Sequence, residues 1–319
     1  MTRPRILLDC DPGHDDAIAI LLAARHSELL GVTTVSGNAP LERTTRNALV
    51  TLQLAGLDVP VHAGAARPLV ERARHAPDIH GASGLGGPEL PELTRRAASE
   101  EAVRFIVDTV RAHGSQPHRD PTAPLWLVAV GPLTNVALAL REAPDLAQRL
   151  AGIAIMGGGV GFGNRTMAAE FNIWADPEAA EVVFSSGATL IMCGLNLTHQ
   201  FMIREADVAR IRGLGNPVAT FTADLLAFYA RAYAEAFFTR PEGPLHDPCA
   251  VLAVTHPHLI RTEPRHVRIE LRGEHTRGMT VVDERGVRSD LTPNVQVGYE
   301  IAREAALEVL CETLASYGA

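Results

Sequence analysis

Eight residues near the start of the chain, Asp9-Cys10-Asp11-Pro12-Gly13-His14-Asp15-Asp16, carry four carboxylates directly after the apolar run Ile6-Leu7-Leu8. Like charges crowded this closely raise each other's pKa, so the fold must hold something positive among them. A hard divalent cation with oxygen ligands meets that need. Asp9 and Asp11 alternate with Cys10 on a strand and are expected on one face, with Asp11 at the strand's carboxyl end and Pro12-Gly13 turning the chain. His14-Asp15-Asp16 then opens a helix continuing through Ala17–Ala24, its acids favoured by the positive end of the helix dipole. Taken singly, Asp15 reads as a helix cap and Asp16 as a solvated acid; taken together the cluster reads as a metal site.

Such a cluster needs rigid elements to hold it. Apolar strand candidates recur at Ile6–Asp11, Val32–Ser36, Val59–Ala63, Leu125–Val130, Ile153–Met156 and Leu190–Cys193. Helical patterns fall between and after them, at Asp15–Ala24, Leu41–Ala55, Glu100–Ala112, Pro132–Leu140, Pro177–Phe184 and Ile203–Ile211. This alternation predicts an α/β fold, with a mostly parallel central sheet flanked by helices through right-handed crossovers. The later chain predicts long helices at Pro217–Phe238 and Asp247–Thr255, short strands at Val267–Leu271 and Gly278–Val282, and a last helix at Glu300–Tyr317, a helical C-terminal segment capping the site. The Gly/Pro-rich stretch Arg67–Pro91 is too long for a plain connector and reads as a substrate loop. The whole of 1–319 is expected to form one domain.

Ligands of open parallel sheets bind beyond the carboxyl ends of the strands. Polar groups collect there: Asn38 after the second strand, Gly131-Pro132-Leu133-Thr134-Asn135 after the fourth, Met156-Gly157-Gly158-Gly159 at the fifth, then Asn164 and Glu170-Phe171-Asn172.

With 46% hydrophobic residues and no long uncharged apolar run, the 319-residue chain is expected to be globular and not to span a membrane. Its first strand leaves no room for a secretory leader, which makes the cytoplasm the expected location. Cys10, Cys193, Cys249 and Cys311 show no CxxC spacing and read as reduced thiols. A formal charge of −8 without a dense basic run argues against nucleic acid as a partner. All 29 basic residues are arginine, so a Schiff-base or phosphate-loop lysine is excluded.

The ordered set of the acidic motif, Ser36-Gly37-Asn38, Gly131–Asn135, Met156–Gly159, Glu170-Phe171-Asn172-Ile173-Trp174-Ala175-Asp176-Pro177 and His246-Asp247-Pro248 resembles the inosine-uridine preferring nucleoside hydrolases, over essentially the whole chain. The resemblance implies a Rossmann-like fold and a calcium-dependent ribohydrolase that cleaves free purine or pyrimidine ribonucleosides to ribose and base. It makes Asp11, Asp16, Asp247 and the Val130 carbonyl the calcium ligands, Val130 standing where threonine is expected. Asp11 resembles the general base acting on a calcium-bound water. Asp9, Asp15 and Asn38 resemble groups positioning the ribose hydroxyls and metal shell, and Asn164, Glu170 and Asn172 those holding the far side of the sugar. His246 resembles the acid that protonates the leaving base; its other reading is a group fixing Asp247. His80 resembles a base contact, and Tyr229 or Tyr233 are either base-pocket or core residues. Homodimers or homotetramers are the family's expectation.

Two competitors remain at this level. A haloacid-dehalogenase-type phosphohydrolase also ends its first strand in DxD, but it usually needs a lysine. A catalytically silent nucleoside-binding or sensing protein would keep the pocket without needing both a base and an acid.

Overall fold

A computed structural model describes residues 3–114, 124–237, 240–288 and 290–318. Its strands, in chain order, are β1 (Arg5–Cys10), β2 (Glu28–Thr34), β3 (Val61–Ala63), β4 (Leu125–Ala129), β5 (Gly152–Met156), β6 (Leu190–Cys193), β7 (Met202–Ile203), β8 (Gly243–Pro244), β9 (Ile260–Arg265), β10 (Val267–Ile269), β11 (Thr280–Val282) and β12 (Val295–Ile301). Eight of them form one sheet in the order β3-β2-β1-β4-β5-β6-β12-β9. Every pairing in it is parallel except β12 with β9. The strands read as near-continuous apolar runs because helices cover both faces. Ile6, Leu8 and Cys10 enter one core and Leu7 the other, so the two-residue period of β1 sorts its side chains between the layers.

β1 sits centrally, pairing Leu8 with Val32 of β2 and with Val128 of β4. Its carboxyl end, and with it the acidic motif, therefore opens in the middle of the sheet. The helix His14–His26 follows at once and packs against the helix Asp247–Thr255. Two further helix starts are built as their sequences dictate. Asn216 accepts from Ala219 N (2.9 Å) ahead of Pro217, and Asp176 accepts from Ala179 N (3.1 Å) ahead of Pro177. Each couples a capping side chain with a proline whose missing N–H costs nothing at that position.

Most expected elements are found, with instructive shifts. The second strand begins earlier, at Glu28, and ends at Thr34. The helix expected from Ile203 starts at Glu205, because Met202–Ile203 pairs with Gly243–Pro244. The helix Pro217–Ala236 stops short of its expected end, with Phe237 as its C-cap in a turn and Phe238 outside the described residues. The final helix starts at Arg303, not Glu300, since Glu300 and Ile301 still belong to β12. β9 was not expected at all: it is an edge strand whose Arg261, Glu263 and Pro264 read as polar loop, and Pro is tolerated at an edge. Among the described residues, no helix is long and apolar enough to cross a membrane.

Of the later helices, Pro217–Ala236 reaches the acidic motif, whereas Arg303–Ala315 packs on the first helix. The Gly-rich loop folds inward through the short helix Pro77–His80 and is tied to the motif's turn by Asn47, whose Nδ2 donates to the carbonyls of Pro12 (2.9 Å) and Ser83 (3.0 Å).

Candidate active site

β1 ends at Cys10, so Asp11 stands in the turn and the alternation expected for Asp9 and Asp11 does not carry across it. Asp9 shares the face of Leu7, where its Oδ1 accepts from Thr33 Oγ1 (2.6 Å) and Asn135 Nδ2 (2.8 Å). It lies behind the site and does not line the cavity. Asp11 is wholly buried, its Oδ2 accepting from the Asn38 N–H (2.6 Å) and its Oδ1 left without a partner. Gly37 and Gly131 make that position possible: a Cβ would fall 2.0 Å from Asp11 Oδ2 at Gly37 and 2.6 Å from Oδ1 at Gly131.

Asp16 caps the first helix rather than facing solvent, accepting from Gly13 N (2.8 Å) and Asp11 N (3.0 Å), with Asn38 Nδ2 at 3.1 Å. Asp15 turns the other way, toward the start of the helix Asp247–Thr255, where the backbone of Asp247 and His246 partly offsets the effect of burial on its carboxyl. Asp15, Asp16 and Asp247 thereby bring carboxylate oxygens within 4.8 Å of one another. Burial first, then Asp16, pushes the Asp11 carboxyl well above the usual range. Burial, then Asp15 and Asp16, does the same to Asp247, and Asp15 is raised to about 8 by burial and Asp16.

These hard oxygens of Asp15, Asp16 and Asp247 suit a divalent cation of the calcium or magnesium type, while Asp11 is felt by Asp247 through its charge but is not among the three that come together, and neither Asp11 nor Asp16 lines the cavity. Val130 presents its carbonyl to the same space, where it already accepts from Asn172 Nδ2 (2.7 Å) and keeps a second lone pair.

Around this floor opens a cavity with about 520 Å³ of empty space, counting open solvent at its mouth. Asp15, Asn38, His80, Val130, Asn164, Glu170, Asn172, His246 and Asp247 all line it. Glu170 caps the short helix Phe171–Ala175, taking N–H groups of Gly158, Asn172 and Ile173; burial still raises its pKa to about 7. Asn164 Oδ1 accepts from Phe171 N (3.0 Å).

His246 is clamped between Thr198 Oγ1 at Nδ1 (2.7 Å) and Tyr233 Oη at Nε2 (2.9 Å), and burial followed by His199 holds its pKa well below the usual value. Tyr233 and Tyr229, one turn apart on Pro217–Ala236, both line the cavity and also pack with Ile79 in a buried apolar cluster. Thr198, Arg165 and Phe237 gave no signal in the sequence. His14 did stand in the motif yet was read only as a helix start.

The inosine-uridine preferring nucleoside hydrolase family model matches residues 6–308. The chain is 44% identical over 315 residues, covering 98% of each chain, to the pyrimidine-specific ribonucleoside hydrolase RihA of Enterobacter sp. strain 638. It is 42% identical to the protein of that name from Shewanella woodyi, with 99% of each covered. Among solved structures it resembles the purine-preferring ribonucleoside hydrolase from Gardnerella vaginalis, with a TM-score of 0.89 and 32% identity over 98% of this chain and 99% of that one.

Proposed function

The chain belongs to the inosine-uridine preferring nucleoside hydrolase family and hydrolyses nucleosides, and we propose that it does so with Asp11 as general base and His246, acting through Tyr233, as general acid. The observation that carries this reading is the meeting of Asp15, Asp16 and Asp247 oxygens within 4.8 Å of one another at a cavity lined by Asp15, Asp247, His246 and Tyr233, with Asp11, whose buried Oδ1 has no hydrogen-bond partner, joined to Asp16 through its backbone N–H.

Asp11, Asp16, Asp247 and the Val130 carbonyl, with Asp15 alongside, would hold the calcium ion of this reading, which would make a water more acidic and help orient it and the ribose hydroxyls. Asp11 accepts a proton as the water oxygen bonds to C1′. The C1′–N bond breaks and its electron pair leaves on the base. As the acid, His246 takes up a proton as imidazolium against the burial that lowers its pKa, delivers it from Nε2 through the Tyr233 hydroxyl at 2.9 Å to the departing nitrogen and returns to neutral imidazole, the proton taken by Asp11 making good the loss. Water is thus divided between ribose and base. Asn38, Asn164, Glu170 and Asn172 hold the sugar, the Glu170 carboxyl standing where positive charge grows at the ring. His80 meets the base, and Asp9 steadies Asn135 from behind.

Residues 1–319 act as one domain, as a homodimer or homotetramer in the cytoplasm. The higher identity to relatives named pyrimidine-specific favours uridine and cytidine as first substrates. The silent-binder reading leaves the paired base and acid unexplained. The test is ribose release from uridine, cytidine, inosine and 2′-deoxyuridine with and without a chelator. Chelator-sensitive release from ribonucleosides, restored by calcium and weak with the deoxy analogue, is expected. Undiminished release after complete chelation refutes the cation's part.

A further inference from the structure

The two-stranded sheet of β10 and β11 stands apart from the main sheet, yet one of its side chains reaches the glycines that end β5. Thr280, on β11, is buried, and its Oγ1 accepts from the Gly159 N–H (2.9 Å) and donates to the Gly159 carbonyl (2.7 Å). Its methyl closes on the preceding glycine, where a Cβ would lie 2.5 Å from Thr280 Cγ2.

The peptide joining Gly158 to Gly159 is thereby gripped at both ends. Its carbonyl accepts from the Leu195 N–H (2.9 Å), and its N–H is the one that donates to Thr280. Only the two torsions of Gly158 separate this fixed plane from the one before it, whose N–H donates to Glu170 Oε2 (2.9 Å). Gly158 sits at a φ of +72° and has no side chain to restrict those torsions, so the grip on its neighbour does so instead.

That bond decides which oxygen of Glu170 is free to meet a ligand. The two oxygens share the Asn172 N–H at 2.9 Å each, while Oε2 also takes Gly158 and Ile173 (3.2 Å). Oε2 is therefore the anchored oxygen, and Oε1 keeps lone-pair capacity for the cavity that Glu170 lines.

We propose that Thr280 is a positioning residue for ribose hydrolysis: it clamps the Gly158–Gly159 peptide so that the Gly158 N–H holds Glu170 with Oε1 turned toward the sugar. This rests on the reading that Glu170 holds the sugar. The hairpin that carries Thr280 is itself braced, since Arg277 pairs with Glu178 (2.7 Å) in the helix Pro177–Phe184 and with Glu71 (3.2 Å) in the Gly-rich loop. It also lies directly on the short helix that Glu170 caps, for a Cβ at Gly278 would fall 3.0 Å from Trp174 Cα. A strand pair outside the main sheet thus completes the site.

The test compares Thr280→Val and Thr280→Ser in the full, calcium-loaded chain, with uridine and with p-nitrophenyl riboside, whose good leaving group keeps slow variants measurable. Valine keeps the shape and the methyl but leaves the Gly159 N–H and carbonyl unpaired; serine keeps the hydroxyl and loses the methyl. We expect kcat/KM to fall about tenfold or more with valine and to stay within about threefold of wild type with serine. Thr280→Ala, which removes the hydroxyl without adding bulk, stands in for valine if that variant does not fold. A serine variant as slow as the valine one, or a valine variant as fast as wild type, overturns the proposal.

A threonine that only stabilised the hairpin would cost the same whatever stood at position 170. In a Glu170→Gln background Thr280→Val should cost less than about threefold, and the same tenfold loss repeated there overturns the proposal. No ribose release from either substrate by calcium-loaded wild type would instead refute the underlying reading of the site.

Discussion

Replacing Gly37 by alanine tests the base from a residue that has no chemistry of its own. The new Cβ would lie 2.0 Å from Asp11 Oδ2 and 2.7 Å from Pro132 Cδ. Gly37 is not among the positive-φ glycines, so the backbone itself tolerates the substitution and the conflict is purely one of space. Proline cannot move aside, and the Asp11 carboxylate has to retreat by about 1 Å or more to reach an ordinary contact. That breaks the 2.6 Å bond from Asn38 N, a charge-assisted bond whose loss costs about 1.5–3 kcal/mol. A displacement of about 1 Å at a reacting group is worth about 10²-fold in rate.

We therefore expect kcat for uridine to fall by about two decades with a modest drop in melting temperature. Gly213→Ala, whose Cβ would meet only the carbonyls of Arg210 and Ala209 at 3.3 and 3.4 Å, should change neither. Combining Gly37→Ala with Asp11→Ala should add little further loss of stability, because the clash then has no partner. Ribose release by steady-state assay and thermal unfolding give both readings. Near-normal turnover by a folded Gly37→Ala protein would refute the placement of Asp11 as the base.

Tyr233→Phe removes the hydroxyl at His246 Nε2, and it should lower turnover of inosine and uridine by about 10²-fold or more, the range of general acid catalysis, while sparing a riboside with a good leaving group such as p-nitrophenolate. Equal losses on both substrates would assign Tyr233 to packing. His26 ends the first helix against Thr313 Oγ1 (2.7 Å) and edge-on to His256, and burial first, then His256, lowers its pKa from 6.5 to about 4. The unfolded chain then takes up a proton near pH 6.5 that the folded one refuses until about 4, so this contribution to stability is complete above 6.5 and is lost as pH falls toward 4. For a half-exposed ring it amounts to roughly 1–2 kcal/mol. Denaturant titrations of His26→Gln should show a shallower loss of stability across that window, and an unchanged slope would contradict the assignment.

Much of this protein was legible in its sequence because its determinants are local. Ile6-Leu7-Leu8 and Leu125–Val130 read as buried parallel strands since continuous apolar runs demand cover on both faces. Asp247–Thr255 and Pro177–Phe184 were found at their expected ends, each starting at a helix whose first turn carries proline. The acids of Asp9–Asp16 marked a place able to hold a cation, and two of them, Asp15 and Asp16, come together with Asp247 in the fold. β9 stayed hidden because Arg261, Glu263 and Pro264 suit an edge only when a neighbouring strand is present to pair with. Glu300 was given to a helix for the same reason, as pairing with Arg261 across the sheet outweighs its local preference.

What tertiary structure alone decided was the partnership of these groups. Asp9 and Asp11 part company because β1 ends between them, one meeting Asn135 and the other Asn38. Asp15 and Asp16, adjacent in the chain, diverge to hold the starts of different helices, and it is Asp15 that joins Asp16 and Asp247. His14 meets His80, and Tyr233 meets His246, across loops whose paths no periodicity encodes. Residue type and spacing determine which chemistry a segment can offer; contact between distant segments depends on where parallel strands end and crossovers return, and that is set by packing of the whole sheet.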